Sequence, residues 1–240
     1  MMKLLVSPRD VEEAKAVIQG NADIVDVKNP GEGSLGANFP WVIKSVKELV
    51  MSECGDTVEV SAAIGDFDYR PGTASLAASG AASAGADYIK VGLFRIRDKR
   101  EAIDLLSAVV RAVKSLAPTK KVVSAFYSDY KRINSISPFE VAEIASAVNI
   151  DVAMLDTGIK DGRSTLEFMS EEELRRFVEE SRALGLETAL AGSLKFEDVP
   201  KLKEIAPDII GVRGMVCGGD RRANIRADLV RDLKQMISDK

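Results

Sequence analysis

Histidine is absent from this sequence of 240 residues. The absence excludes catalytic triads that depend on histidine, zinc sites with histidine ligands, and acid–base catalysis by imidazole. If the protein is an enzyme, its protons must move through lysine, aspartate, glutamate, tyrosine or cysteine. The chain also has no apolar run of the roughly 18 residues that would indicate a transmembrane helix.

Cysteine is scarce as well, since only Cys54 and Cys217 occur and they lie far apart. This usage is typical of a reduced, cytoplasmic chain. The opening stretch "MMKLLV" is too short for the apolar region of a signal peptide. A net charge of −4 gives no reason to expect nucleic-acid or membrane binding. We therefore expect a cytoplasmic protein with neither nucleic-acid nor membrane partners.

The chain does contain a regular alternation of short apolar segments and segments of helical period. Two helix starts carry capping signals, at Asp10 and in the pair Ser170 and Glu173. Eight β–α units with no linker between them predict an α/β fold, a single (β/α)8 TIM barrel domain over residues 1–240. The predicted strands are residues 3–7, 23–28, 57–62, 86–91, 121–126, 151–156, 186–191 and 208–213.

An internal repeat marks the even strands of this predicted barrel. The segments "NADIVDVK", "GADYIKVG", "NIDVAMLD" and "APDIIGVR" align on a shared aspartate. Because side chains alternate along a strand, positions three and five after that aspartate share one face. We expect this face to point into the barrel near its C-terminal mouth. The two inward layers are then Asp26, Lys90, Met154 and Gly211, and above them Lys28, Gly92, Asp156 and Arg213.

Two lysines in these layers, Lys28 and Lys90, are the main candidates for chemistry. Desolvation and like-charge repulsion lower the pKa of a lysine, so that it is partly a neutral amine near neutral pH. A neutral amine can attack a carbonyl to form a Schiff base. The alternative is a pair of structural Lys–Asp salt bridges. Asp26 and Asp156 either position the lysines, balance their charge or carry protons. Lys160, on the loop after strand 6, either clamps an anion or is simply solvated.

Phosphate is the anion that the loops after strands 7 and 8 predict. "LAGSLK" places Gly192 and Ser193 after strand 7, and "VRGMVCGGDR" places Gly214 after strand 8. In barrels these loops commonly bind phosphate through backbone N–H groups. Arg213 either reaches this phosphate or pairs with Asp156. The stretch "NPGEGSLGANFP" beside Lys28 indicates a lid or a second anion-binding loop.

Several stretches together resemble one known family. "DIVDVKNPGEGSLGANFPW", "GADYIKVGL", "DVAMLDTGIKDG", "LAGS" and "GVRG" are similar to the (5-formylfuran-3-yl)methyl phosphate synthases of methanofuran biosynthesis. The resemblance implies a TIM barrel that condenses two molecules of glyceraldehyde 3-phosphate, with loss of phosphate and water. It further implies Lys28 as the Schiff-base lysine and Lys90 as the proton-transfer residue, supported by Asp26, Asp156 and Lys160.

Two other functions remain open from the sequence. One is a phosphate-binding decarboxylase or epimerase in which Asp26 and Lys28 act without a covalent bond. The other is a non-catalytic sensor of phosphorylated metabolites, because a fold alone does not decide function. We expect a small triose phosphate as ligand and no cofactor, since an imine is itself the electron sink. The oligomeric state is open, and a homo-oligomer is compatible with the sequence.

The absence of histidine leads to a testable expectation about metals. In the predicted mouth, lysines lie close to both carboxylates and repel a divalent cation. We expect enzymatic turnover of glyceraldehyde 3-phosphate to survive exhaustive treatment with a chelator. Loss of turnover that is restored by Mg²⁺ or Zn²⁺, and not by washing alone, would contradict this expectation.

Overall fold

The protein is a closed barrel of eight parallel strands in chain order, as a computed structural model describes it for residues 2–238. Each strand pairs with the next along the chain, and the last pairs with the first. The strands are β1 Lys3–Val6, β2 Ile24–Val27, β3 Glu59–Asp66, β4 Tyr88–Gly92, β5 Lys121–Tyr127, β6 Val152–Asp156, β7 Glu187–Leu190 and β8 Ile209–Val212. The predicted TIM barrel is thus confirmed.

Helices connect successive strands on the outside of the barrel. The helix start at Asp10 is confirmed, because its carboxylate accepts the N–H of Glu13. The capping box of Ser170 and Glu173 is also present. The helices are α1 Val11–Gln19, α2 Pro40–Cys54, α3 Pro71–Ser83, α4 Lys99–Leu116, α5 Tyr130–Ile133, α6 Val141–Ala147, α7 Thr165–Phe168, α8 Glu171–Ala183, α9 Val199–Ile205 and α10 Ala227–Ser238. No helix within residues 2–238 is long and apolar enough to cross a membrane.

The strand side chains divide between two apolar clusters. Val25, Val27 and Leu155 pack outward against the helices. Ile24 and Met154, one position away on the same strands, belong to a separate cluster inside the barrel. This alternation puts the predicted inward layers on the interior face, so the register drawn from the repeat is confirmed.

The largest difference from the predicted strands concerns β3. It continues to Asp66, four residues beyond the predicted end at residue 62. The pairing with β4 shifts register between Ala63 and Asp66, and Gly65 has a φ of +127°. A bulge of this kind lets a strand continue with a new twist. Its consequence is that the Asp66 carboxylate stands at the barrel mouth.

Charged side chains close the opposite, N-terminal end of the barrel. Lys3 Nζ lies 2.9 Å from Glu59, and Lys121 Nζ lies 2.8 Å from Glu187. The Tyr88 hydroxyl donates to Glu59 over 3.1 Å. These paired groups form a floor, so small molecules reach the barrel interior from the C-terminal mouth.

The contact between the first and last helices can be tested at Gly20, where α1 ends. A Cβ at this position would overlap Val230, a fully buried residue of α10. We expect Gly20→Ala to lower the free energy of unfolding by about 1–3 kcal/mol, the usual cost of overpacking. Urea denaturation measures this change.

The matched control for that variant is Gly80→Ala in the interior of α3. Open space surrounds the position where its Cβ would lie. Alanine is favoured over glycine in a helix by about 0.8–1 kcal/mol, so we expect this variant to be more stable than the wild type. Equal stability of the two variants would show that α1 and α10 do not pack tightly at Gly20.

Candidate active site

A cavity of about 620 Å³ opens at the C-terminal mouth of the barrel. This volume is within the roughly 300–1,000 Å³ that is usual for sites of small ligands. The cavity lies on the side formed by β6, β7, β8 and β1, and its deep wall includes side chains from β2 and β4. The predicted site residues that line it are Lys28, Lys90, Asp156, Lys160, Gly192, Ser193, Arg213 and Gly214.

Asp26 and Lys90 form a buried ion pair on the inner wall. Lys90 Nζ lies 2.7 Å from Asp26 Oδ2, and both side chains are almost completely buried. The hydroxyls of Ser7 and Ser61 also donate to this carboxylate, over 2.8 and 2.7 Å. Burial alone would raise the pKa of Asp26, but the charges of Lys90 and Lys28 outweigh it and lower that pKa. Asp26 is therefore a fixed anion that immobilises Lys90.

Lys28 is in a different state from Lys90. It lies one residue beyond β2 and faces the cavity, and only 6% of it is exposed. Its ammonium group makes no hydrogen bond or ion pair with any residue that the structure describes. Burial lowers the pKa of Lys28 to about 7; Asp156 opposes this shift and the positive charge of Lys90 adds to it. A substantial fraction of Lys28 is therefore a neutral amine at neutral pH.

Asp156, at the end of β6, faces Lys28 across the barrel mouth and binds Lys160. Lys160 Nζ contacts Asp156 Oδ1 and lies 3.0 Å from Thr157 Oγ1. Asp129 accepts the N–H groups of Gly158 and of the residue after it, which fixes the loop that carries Lys160. Burial raises the pKa of Asp156, but Lys160 and Lys28 lower it further than burial raises it. Lys160 is therefore part of the charged centre and is not a solvated loop lysine.

The loops after β7 and β8 present backbone amides to the cavity. The N–H groups of Gly192, Ser193 and Gly214 donate to no group within the described part of the chain. Gly192 has a φ of +101°, and a Cβ there would overlap Thr165 and Thr157, so glycine is required. We call these three residues the amide cradle. Such a cluster of free N–H groups is suited to an anion.

Arg213 does not pair with Asp156, and that part of the prediction is wrong. Its guanidinium binds Glu13 of α1 over 2.6 and 3.1 Å, and both side chains are buried. It also donates to the carbonyl oxygens of Ser7 and Arg221, over 2.7 and 2.8 Å. One of its five N–H bonds is then left for an anion. A phosphate-binding role for Arg213 stays a prediction, but its main contacts tie α1 and β1 to the loop after β8.

Residues 29–38 lie across the mouth and are called the strap here; they are most of the segment 29–40 that was predicted as a lid or a second anion-binding loop. Ser34 Oγ donates to the Thr157 carbonyl over 2.8 Å, and the Leu35 N–H donates to Asp66 Oδ2 over 3.0 Å. Leu35 is fully buried and packs in the inner apolar cluster. The strap thus covers the β3 to β5 side of the mouth and confines the cavity to the other side.

Tyr127 and Asp66 belong to the mouth but were not among the predicted site residues. The Tyr127 hydroxyl donates to Asp66 Oδ1. Burial, followed by the charge of Asp66, raises the pKa of this phenol well above its usual value. A Cβ at Gly92 would overlap the phenol oxygen, so the glycine in the upper layer makes room for it. Side chains alternate along β5, and this alternation points Tyr127 inward. The sequence could therefore have identified Tyr127 as a site residue.

Comparison with known proteins identifies close relatives. The family model described as 4-HFC-P synthase matches residues 4–234. The chain is 62% identical over 232 residues to the (5-formylfuran-3-yl)methyl phosphate synthase of Methanosarcina acetivorans, covering 97% of both chains. It is 54% identical over 237 residues to the protein of that name from Methanocaldococcus jannaschii, covering 98% of this chain and 99% of that one.

A solved structure with a similar fold is 3-hexulose-6-phosphate synthase from Salmonella typhimurium. The TM-score is 0.67 at 19% identity, and the match covers 99% of each chain. At this identity the similarity concerns the barrel fold alone.

The unusual state of Lys28 can be tested by chemical labelling. With a pKa of about 7, Lys28 is protonated and unreactive at lower pH and becomes a nucleophile as the pH rises through that value. We expect its acylation by acetic anhydride to rise with a midpoint near pH 7 and then to level off. Peptide mass spectrometry follows the labelling, with the exposed Lys44 as internal reference. A midpoint near 10 for Lys28 would show that its amine is not depressed.

Proposed function

The chain belongs to the 4-HFC-P synthase family, and from this we propose that it makes (5-formylfuran-3-yl)methyl phosphate, a step of methanofuran biosynthesis. The proposed substrates are two molecules of glyceraldehyde 3-phosphate, joined through a Schiff base on Lys28. Together they contain the atoms of the furan product, one inorganic phosphate and water. The reaction therefore needs neither an oxidant nor a reductant.

The observation that supports this proposal is the contrast between the two lysines. Lys90 is held by Asp26 as an ion pair, whereas Lys28 has no carboxylate partner among the described residues and has a pKa of about 7. An unpaired amine near neutral pH is the state in which a lysine attacks an aldehyde. Lys28 is thus the nucleophile, and Lys90 is available for proton transfer.

The first step is attack of Lys28 Nζ on the aldehyde carbon of one triose phosphate. The carbinolamine loses water and gives a positively charged imine. Asp156 faces this position and stabilises the positive charge, as its opposing effect on the Lys28 pKa indicates. Lys160, bound to Asp156, keeps that carboxylate ionised and oriented.

Proton transfer by Lys90 drives the next steps. Removal of the proton next to the imine carbon gives an enamine, whose electrons expel phosphate from the neighbouring carbon. A proton shift moves the carbonyl of the second triose phosphate from C1 to C2, and C3 of the tethered unit, freed of phosphate, attacks that C2 to give the branched carbon skeleton of the product. Ring closure and loss of water then give the aromatic furan, and hydrolysis of the imine frees Lys28. Asp26 stays ionised throughout and holds the Lys90 side chain in place.

The amide cradle provides the site for the phosphate of a substrate. Its N–H groups are fixed by the backbone, so they bind a phosphate without reorganisation. The cradle lies on the β7 and β8 side, across the cavity from Lys28 on β2. A triose phosphate held there presents its aldehyde end to the barrel interior.

Trapping with borohydride tests the mechanism. Sodium borohydride with glyceraldehyde 3-phosphate is expected to inactivate the wild-type enzyme and to add the mass of the reduced adduct at Lys28. Lys28→Arg is expected to abolish both trapping and turnover, because arginine does not lose its proton near neutral pH. Lys90→Arg keeps the neighbouring positive charge, so it should still form the adduct while turnover falls about 10²-fold or more. The furan product is identified by mass.

The control is Lys47→Arg, at a lysine paired with Asp87 away from the cavity, which should leave trapping and turnover unchanged. An adduct confined to surface lysines would contradict the imine mechanism. Absence of any adduct together with absence of the furan product would favour the non-covalent decarboxylase or epimerase, and binding without turnover of any substrate would favour the sensor. An adduct on Lys90 in place of Lys28 would mean that the two roles are exchanged.

A further inference from the structure

The positively charged side chains of the cavity differ in whether a carboxylate neutralises them. Most of them have an acidic partner. Within residues 2–238, only Lys28 and Arg221 among these side chains have no carboxylate within ion-pair distance. The paired ones are Lys90 with Asp26, Lys160 with Asp156, Lys195 with Glu167, Arg213 with Glu13, and Arg226 with Asp228.

Arg221 extends from the loop after β8 toward the strap. Its carbonyl oxygen is held by Arg213 Nε over 2.8 Å, which fixes its backbone. Its Cβ lies 3.7 Å from the position that a Cβ on Gly214 would take, so its backbone borders the amide cradle. Its guanidinium reaches the strap, with Nη2 3.4 Å from the Gly33 carbonyl oxygen. Arg221 therefore lines the cavity between the amide cradle and the strap.

The guanidinium of Arg221 lacks the partners that a half-buried arginine usually has. Its one contact in the described structure, to Gly33, is long for a hydrogen bond. Burial lowers the pKa of Arg221 and the charge of Asp156 opposes this, but Asp156 is already bound to Lys160. A guanidinium with free N–H groups in a fork is suited to the oxygens of a phosphate.

We propose that Arg221 binds the phosphate of the second triose phosphate, the one that is not attached to Lys28. This inference rests on the proposed function, which brings two phosphates into one cavity. The cradle consists of backbone N–H groups, and it holds the phosphate of the triose that reacts with Lys28. Arg221 is at the rim, where the second substrate arrives once the first is fixed. The two anions are then bound by different groups, the first by backbone N–H groups and the second by the guanidinium beside the strap.

The test separates the binding of the two substrates in Arg221→Gln and Arg221→Lys. Borohydride trapping at Lys28 reports the first triose, and steady-state formation of the furan reports both. We expect Arg221→Gln to leave the half-saturating glyceraldehyde 3-phosphate concentration for trapping within twofold of the wild type. Its kcat/KM for furan formation should fall about 10-fold or more, the scale expected for losing charge-assisted hydrogen bonds. Arg221→Lys should recover part of this loss.

The matched control is Arg222→Gln, which removes the same charge from the next residue, outside the cavity lining. It should leave both measurements unchanged. Equal weakening of trapping and turnover in Arg221→Gln would assign Arg221 to the first triose and overturn the proposal. Unchanged turnover in Arg221→Gln would also overturn the proposal. The same holds if the variant changes only the inhibition of the enzyme by inorganic phosphate. If the wild type itself forms neither adduct nor furan, the proposed function fails, and the inference fails with it.

Discussion

The buried ion pair between Lys90 and Asp26 holds a fixed positive charge beside Lys28, the candidate nucleophile. Asp26 accepts hydrogen bonds from Lys90, Ser7 and Ser61, so strands β1, β2, β3 and β4 all contribute to one charged centre. Removing one partner of such a pair is strongly destabilising, because the other charge is then buried without compensation. The charge of Lys90 then acts on Lys28 and helps to keep it an amine.

A second buried ion pair, Arg213 with Glu13, lies beside the first, because Ser7 contacts both Asp26 and Arg213. It joins α1 to the residue after β8, where the first and last β–α units of the barrel meet. The same guanidinium holds the Arg221 carbonyl oxygen, so closure of the barrel also fixes the rim of the cavity. Arg213 therefore stabilises both the closed barrel and the loop that carries Arg221 at the rim of the cavity.

The sequence was sufficient for the barrel and for the central charges because both follow from regular patterns along the chain. Alternation along strands and a repeat on even strands placed Lys28, Lys90, Asp26 and Asp156 on one face, as the structure has them. The partner of Arg213 was not predictable in this way. Glu13 is in the first turn of a helix, where glutamate is common for local reasons, and its contact with Arg213 exists only after the barrel closes.

Asp66 was missed for a related reason. Its position depends on a bulge that extends β3 past its predicted end, and a bulge breaks the alternation on which the prediction was based. Its partner Tyr127, the last residue of β5, lies in register with Asp156 of β6 and was missed because the predicted strand ended one residue earlier. Contacts that depend on irregular backbone or on chain closure are thus the part of the site that periodicity does not show.

The strap begins at the residue that follows Lys28, and this adjacency limits how the protein can move. Lifting the strap would pull on the backbone of Lys28 and would displace its nitrogen from between Asp156 and Lys90. It would also withdraw Leu35 from the inner apolar cluster and break its hydrogen bond to Asp66. The positions of the strap and of Lys28 are therefore coupled. The part of the mouth that the strap leaves uncovered is the rim at β6, β7 and β8, whose loops line the cavity, so this rim is the route for small molecules.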